Sequence, residues 1–227
     1  MHTMRIPFPI PPWRALLAEL RIDVALPPSD IERQLASLYR RLSCPGDALH
    51  DLPALCLQIP GLVVRYREAD GEHYVYVEDK VRGRLAGCVV FNRLVELDRR
   101  ADAHLRAPHA RIAPAYQRRG IATAIYRWWL DRGNSLITGA RQSPGAHALW
   151  RALGRRYELF YVDLRDKRLR WLGEAVDRPT EHALQTRMVM LGKGWDLDRL
   201  SQATGLLLEA DADVVQPLRQ RQLMRRP

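Results

Sequence analysis

The sequence contains no run that approaches the roughly 18 consecutive apolar residues of a membrane-spanning helix. Its N-terminal segment is too rich in proline, and too short of a continuous apolar stretch, to look like a secretory signal peptide. These two absences predict a cytoplasmic protein with no membrane partner. The hydrophobic residues, 47% of the chain, are spread throughout the sequence, so a sizeable core can form.

Cysteine is also scarce. Cys44, Cys56 and Cys88 are odd in number and widely spaced, which suits neither a disulfide framework nor a metal-binding pattern. We therefore predict no metal site. The three residues are expected to be small, buried thiols in a reducing compartment.

Negative charge is in short supply, because 36 Lys and Arg residues face 26 Asp and Glu residues and leave a net charge of +10. Such a field attracts nucleic acid, an anionic membrane surface or a phosphate-rich cosubstrate. Most of the excess is arginine, which pairs with phosphate and carboxylate through two hydrogen bonds. An arginine-rich genome would give the same composition, so the charge alone leaves the partner open.

The predicted elements divide the chain into three parts. Residues 1–60 predict a helical N-terminal extension punctuated by prolines, with one helix starting after Pro12 and another with Ser29 as its N-cap. Residues 61–172 form the core, and residues 173–227 form a C-terminal extension of uncertain fold. In that last part, residues 181–191 fit either a strand or a helix, and residues 196–210 favour a helix.

The core predicts a mixed sheet. Three β-rich runs from Leu62 onward, joined by turns at Asp70-Gly71 and Arg82-Gly83, favour an antiparallel meander. A strand, a helix, a strand, a helix and a strand are predicted next, over residues 103–112, 120–132, 134–140, 143–156 and 157–165. Residues 167–173 extend the last strand or pair with it. The order predicts an α/β (α+β) fold, a mostly antiparallel central sheet flanked by helices.

A basic turn, QRRGIAT over residues 117–123, lies where the fourth strand passes into a helix. Backbone N–H groups and the helix dipole favour an anion at such a place. Gly120 and Ala122 allow close approach of the backbone, Arg118 and Arg119 can reach a phosphate, and Thr123 adds a hydroxyl. These residue types predict a phosphate or pyrophosphate site. The alternative is an exposed basic turn that only begins a helix.

In this context the chain resembles the GNAT family of acyl-CoA-dependent N-acyltransferases. That family carries Gln/Arg-x-x-Gly-x-Gly/Ala just after its fourth strand, and residues 117–122 match it position by position. A second family pattern, Asn-x-x-Ala-x-x-Leu-Tyr-x-x-x-Gly, aligns with residues 143–154, with Ser143 replacing the asparagine and Trp150 replacing the tyrosine. The resemblance spans about residues 62–169.

The resemblance implies acetyl-CoA, or another acyl-CoA, as cosubstrate and an amine as acceptor. It implies that the pyrophosphate lies on the amides of the basic turn, and that pantetheine runs between the fourth and fifth strands. An N–H group of the fourth strand would face the acyl carbonyl, and the amine would attack the thioester directly. The residues implied to bind the cosubstrate are Ala110, Ile112, Gln117, Arg118, Arg119, Gly120, Ile121, Ala122, Thr123, Ser143 and Trp150.

Catalytic groups are harder to assign from the pattern. Trp150 stands where many relatives carry the tyrosine thought to protonate the thiolate, which an indole cannot do, so Trp150 is equally consistent with a core residue. The candidate bases are Glu96, Asp102 and His104, which lie on or before the fourth strand. His109 is closer to the turn and is expected near the pantetheine channel. For each of these residues the alternative is a solvated charged side chain.

Three classes of function remain. The leading one is an N-acyltransferase with acetyl as the default group and a small amine, a peptide amine or a tRNA-linked aminoacyl group as acceptor. The second is a non-catalytic acyl-CoA-binding protein. The third is a nucleic-acid-associated regulatory protein, suggested by a faint helix-turn-helix pattern over residues 197–215 and disfavoured by its acidic residues. The terminal parts are candidates for an acceptor pocket or a homodimer interface.

Overall fold

A mixed sheet of eight strands organises residues 27–208, the part of the chain that this computed structural model describes. The predicted helix after Pro12 lies outside these residues. The strands are β1 (Val63–Ala69), β2 (Glu72–Asp79), β3 (Arg84–Asn92), β4 (Leu105–Ile112), β5 (Ser135–Ile137), β6 (Leu159–Arg165), β7 (Arg168–Gly173) and β8 (Thr186–Met190). Their order in the sheet is β1-β2-β3-β4-β5-β8-β6-β7.

Helices cover both faces of this sheet. They are α1 (Pro28–Leu42), α2 (Arg99–Asp102), α3 (Ile121–Asp131), α4 (Pro144–Leu153), α5 (Arg178–His182) and α6 (Leu197–Thr204), with a 3₁₀ turn at Pro114–Tyr116. The predicted fold class, a mostly antiparallel sheet flanked by helices, is confirmed. None of the helices within residues 27–208 is long and apolar enough to cross a lipid bilayer.

The antiparallel meander of β1, β2 and β3 is also confirmed. Asp70 and Gly71 both have positive φ, at 55° and 74°, which the tight turn between β1 and β2 requires. The predicted N-cap at Ser29 is wrong. Helix α1 begins two residues earlier, with Pro27 as N-cap and no capping side chain, because Pro28 brings a helical φ and needs no partner for an N–H group.

The strand β8 comes from beyond residue 172. The ambiguous segment 181–191 ends α5 and then forms β8, which pairs with β5 on one side and β6 on the other. All five of its residues are buried, so its sequence shows no polar alternation. The central sheet therefore continues past the predicted end of the core, and the hairpin of β6 and β7 joins it through β8.

Two apolar clusters of buried residues form the core. Phe91 of β3 stacks on Trp129 of α3, with ring centroids 4.1 Å apart. Cys88, on the opposite face of β3, is buried as predicted, but Cys44 and Cys56 are exposed, so the expectation of three buried thiols is wrong. Both exposed cysteines lie in the turns that connect α1 to β1, outside regular structure.

Candidate functional site

A cleft of about 1690 Å³ opens where β4 and β5 separate. The two strands run parallel and pair only through Leu105 with Ser135 and Arg106 with Leu136. Beyond these pairs, residues 107–112 of β4 have no strand beside them on that edge. The cleft is lined by this free edge of β4, by residues 138–143 after β5, and by the start of α3.

The free edge of β4 offers two backbone donors to the cleft. Ala113, just after β4, donates its N–H group to the carbonyl of Ala86 in β3, at 2.9 Å. Because N–H groups alternate in direction along a strand, those of Ala110 and Ile112 point away from β3 and into the gap. Pro108, two residues before Ala110, has no N–H group and so offers no donor to the gap. The pairing thus singles out Ala110 and Ile112, both predicted to bind the cosubstrate.

The basic turn has the conformation that its glycine predicts. Arg118 and Gly120 both adopt left-handed backbone angles, with φ of 58° and 75°. The side-chain amide of Gln117 donates to the carbonyl of Ile112 at 3.1 Å, which ties the turn to the end of β4. A Cβ atom built on Gly120 would meet no atom within 4 Å, so the space in front of this residue is open.

The N-terminus of α3 has no capping side chain. The N–H groups of a first helical turn have no partner within the helix, and they carry the positive end of its dipole. The residues of this turn that line the cleft are Gln117, Arg118, Gly120, Ile121, Ala122 and Thr123. This arrangement suits an anion, because the helix N-terminus borders open space and Arg118 lines the same cleft.

Arg119 is the member of the predicted turn that does not line the cleft. Its guanidinium carbon lies 5.1 Å from the centre of the Tyr116 ring instead. Tyr116 is buried and donates a hydrogen bond of 2.7 Å to Asp79 at the end of β2. Asp79 also accepts from the backbone and side chain of Arg82. Tyr116 therefore links the basic turn to the end of β2. The local sequence pattern did not reveal this contact.

Helix α4 carries the second predicted pattern. Ser143 is its N-cap and accepts a hydrogen bond from the N–H group of Ala146 at 3.2 Å, so the serine does the capping that an asparagine can also do. Trp150 is only 2% exposed and belongs to the apolar core, although an edge of it borders the cleft. Tyr157, farther along, lies outside the cleft lining and donates to Asp131 at 2.7 Å.

The three predicted bases do not come together. Glu96 and Asp102 line the cleft, whereas His104 does not and packs its ring against Trp195, 5.3 Å between centroids. Glu96 pairs with the buried Arg187 of β8 at 3.3 Å, and its side chain stays 31% exposed.

Asp102 is more fully occupied than Glu96. One of its oxygens accepts from Nε of Arg93 at 2.8 Å and the other from the N–H group of Leu94 at 3.3 Å. These bonds fix the loop between β3 and α2, which forms part of the cleft wall. Asp102 therefore stabilises the cleft wall through its hydrogen bonds, whereas the side chain of Glu96 faces the cleft.

His109 of β4, which the sequence analysis placed near the pantetheine channel, lines the cleft, and so does Arg111, which the sequence patterns did not single out. Burial, with a smaller contribution from Arg111, lowers the pKa of His109 to about 4, so its imidazole is neutral at pH 7. The two residues are two positions apart and share one face of the strand. That alternation, counted from His109 toward the strand end, is the signal that could have found Arg111.

Comparison with known proteins identifies a family. A family model described as the acetyltransferase (GNAT) family matches residues 39–154. No curated protein sequence matches the chain. The solved structures it is similar to include two chimeras of the spermidine N-acetyltransferase SpeG from Vibrio cholerae with hSSAT. One is 18% identical, covering 74% of this chain and 92% of its own, and the other is 20% identical, covering 55% and 68%, both with a TM-score of 0.32.

Proposed function

This chain belongs to the GNAT acetyltransferase family and is an N-acetyltransferase of that type, and on this premise we propose that it transfers the acetyl group of acetyl-CoA to an amine that attacks the thioester directly. The observation that carries the proposal is the N-terminus of α3. It follows Gly120, borders the cleft and has no capping side chain. A chain that needed this helix only for packing would gain from a capping side chain, which is absent from this position.

The phosphates of CoA would lie on the first turn of α3. Gly120 leaves room for them, and the amides of residues 120–123 supply donors that no protein side chain occupies. Arg118, which lines the cleft, would add charge. Gln117 would act indirectly, because its side-chain amide is bonded to Ile112, and Arg119 would support the turn through Tyr116.

The pantetheine arm would continue along the free edge of β4. The N–H groups of Ala110 and Ile112 are the donors that point into the gap, and a chain of amides is the kind of ligand that such an edge binds. Ala110 is the donor nearer to the point where β4 and β5 meet. We assign its N–H group to the oxygen of the acyl carbonyl, where negative charge develops during attack by the amine.

Transfer forms a C–N bond, breaks the C–S bond, and requires the ammonium proton to leave. Among the predicted bases Glu96 is the best placed, because its carboxylate lines the cleft and remains partly exposed. Arg187 would hold that carboxylate in place. Asp102 would act as a positioning residue through Arg93, and His104 would be a packing residue beside Trp195.

The leaving thiolate has no acid at the position that the family pattern provides. Trp150 cannot donate a proton to sulfur, and its burial suits a core role. Tyr126 of α3 also lines the cleft, and burial raises the pKa of its hydroxyl above the usual range, so it keeps its proton at neutral pH. We assign no acid and expect water to protonate the thiolate.

The replacement of tyrosine by Trp150 also favours a second function, a non-catalytic acyl-CoA-binding protein. One experiment separates the two. Acetyl-CoA binding is measured by calorimetry, and release of free CoA thiol is followed with a panel of amines, with mass spectrometry of the acylated product. Thiol release that depends on the amine supports transfer. Binding without release supports the second function, and absence of binding contradicts both.

A further inference from the structure

Arg111 of β4 is a cleft-lining cation without a protein partner among residues 27–208. Its side chain forms no ion pair or hydrogen bond there, and its Nε atom is shielded from solvent without an acceptor. Burying a guanidinium without hydrogen bonds is costly, so such a group usually pairs with a carboxylate or a ligand. Arg187, a buried arginine of this wall, has such a pair with Glu96.

The side chain of Arg111 lies on the face of the sheet opposite to α3. Ile112 pairs with Gly87 and Pro108 pairs with Phe91, and Phe91 stacks on Trp129 of α3. By alternation, Arg111 and His109 project to the other face, where Glu96 and Arg187 line the same cleft. Arg111 is thus separated by the sheet from the helix whose N-terminus would hold the CoA phosphates.

The carboxylates on this side of the cleft already have partners within the protein. Glu96 is bound by Arg187, Asp102 by Arg93, and Asp98 caps α2 by accepting from Ala101. Two further carboxylates of the lining belong to the β1–β2 hairpin. They are Asp70 and Glu72, of which the second accepts from the hydroxyl of Tyr74.

Five cations of the lining stay without an ion pair in the described part of the chain. They are Arg99, Arg111, Arg118, Arg141 and Lys167. Lys167 lies next to α2, because its carbonyl accepts from the N–H group of Asp98 at 3.3 Å. The neutral imidazole of His109 adds no charge. These five cations outnumber the three lining carboxylates without an ion pair, Asp70, Glu72 and Asp98, so the unpaired charge of the cleft is positive and repels a purely cationic amine.

We propose that the acceptor carries an anionic group beside its reactive amine and that Arg111 binds this group. The proposal rests on the proposed acyl transfer and names the class of acceptor. A guanidinium recognises a carboxylate or a phosphate through two parallel hydrogen bonds, so either group satisfies the chemistry. Arg99 and Lys167 steer the acceptor toward the cleft.

The test compares amines in matched pairs, using the full chain loaded with CoA. Alanine, phenylalanine and lysine are each measured beside the amine that lacks the carboxylate, namely ethylamine, 2-phenylethylamine and 1,5-diaminopentane. O-phosphoethanolamine beside ethanolamine distinguishes phosphate from carboxylate. Binding is measured by calorimetry, and turnover is measured with acetyl-CoA as thiol release. In at least one pair, the amine that carries the carboxylate or phosphate is expected to bind about 10- to 100-fold more tightly than the amine that lacks it.

Arg111→Gln should remove the preference for the acceptor with an anionic group and leave the affinity for acetyl-CoA unchanged. Arg111→Lys should keep part of that preference, because the lysine ammonium retains the positive charge. Arg155→Gln, at an exposed residue outside the cleft, is the matched control. Equal binding of both members in every pair overturns the proposal. So does an Arg111→Gln variant that weakens acetyl-CoA binding and keeps the acceptor preference. Preferential binding without any thiol release upholds the anion site and contradicts acyl transfer.

Discussion

The hydroxyl of Tyr116 donates a hydrogen bond to Asp79 across 2.7 Å, although 37 residues separate the two in the sequence. Tyr116 ends the 3₁₀ turn that leads directly into the basic turn, and Asp79 ends β2. The bond therefore fastens the start of the proposed phosphate site to the rigid meander. Asp79 is held in turn by Arg82, so the support continues into the β2–β3 turn.

Tyr116→Phe should weaken acetyl-CoA binding and lower the thermal midpoint by a few degrees, because the buried carboxylate of Asp79 loses a donor and the turn loses its anchor. The matched control is Tyr157→Phe, which removes a hydroxyl with an equally short bond, to Asp131, outside the cleft. Calorimetry and thermal unfolding of both variants are the measurements. If the two variants bind acetyl-CoA equally well, Tyr116 does not position the site.

The same carboxylate should make stability depend on acid pH. The hydrogen bond from Tyr116, and then the bonds from Arg82, lower the pKa of Asp79 from 3.8 to about 2. Since the folded pKa lies below the unfolded one, the stabilisation is complete above about pH 4 and is lost as the pH falls toward 2. Asp79→Asn should flatten this part of the profile of thermal midpoint against pH. Asp166→Asn, at the exposed turn between β6 and β7, is the control, and a profile equally flattened there contradicts the assignment.

Gly120→Asp should reduce acetyl-CoA affinity by roughly 100-fold or more, because it places bulk and negative charge where the phosphates would lie. Strain is a separate effect, since φ at this residue is positive. Gly46→Asp has the same strain, with φ of 87° and no atom within 4 Å of an added Cβ, and it lies outside the cleft. Calorimetry on both variants separates charge from strain. Retained micromolar affinity in the Gly120 variant would remove the phosphate site from this turn.

Trp150→Ala should destabilise the fold by about 3–5 kcal/mol, because the indole is nearly fully buried against the core. Trp150→Phe keeps most of the volume and should keep both stability and turnover. Denaturant unfolding and thiol release are measured on both variants. A Trp150→Ala protein of unchanged stability that has lost turnover would show that the indole acts in the chemistry and not in the core.

The predicted bases can be separated by single variants. Glu96→Gln keeps a partner for Arg187 and should lower kcat by about 100-fold or more, with acetyl-CoA affinity unchanged. Asp102→Asn should act mainly on stability, by about 1–3 kcal/mol, since it weakens the bonds to Arg93 and Leu94. The kcat of each variant, together with that of His104→Gln, is measured at saturating amine. The largest loss of kcat in the His104 variant would overturn the assignment of Glu96.

Local patterns in the sequence predicted those parts of the fold that local interactions determine. The turn at Asp70-Gly71 needs two positive φ angles within two residues, and the start of α3 needs a glycine just before it. Both requirements can be recognised from a few adjacent residues in the sequence. The match to the family pattern over residues 117–122 succeeded for the same reason, because backbone geometry at that turn is fixed by its own residues.

Contacts between distant segments could not be predicted in this way. Glu96 and Arg187 are 91 residues apart, and only the insertion of β8 beside β5 brings them together. The segment that became β8 has buried residues on both faces, so its apolar letters suit a strand or a helix equally. His104 shows the converse. Its distance from the turn along the chain suggested a catalytic position, but its ring packs against Trp195.

The place of β8 also sets an order for assembly during synthesis. A ribosome releases the β6–β7 hairpin before β8, yet within residues 27–208 that hairpin reaches the other strands of the sheet only through β8. Until residues 186–190 emerge, β5 and β6 each present an unsatisfied edge, and the arginine that holds Glu96 is missing. The cleft wall that contains Arg187 is therefore complete only after these residues have been synthesised and β8 has paired with β5 and β6.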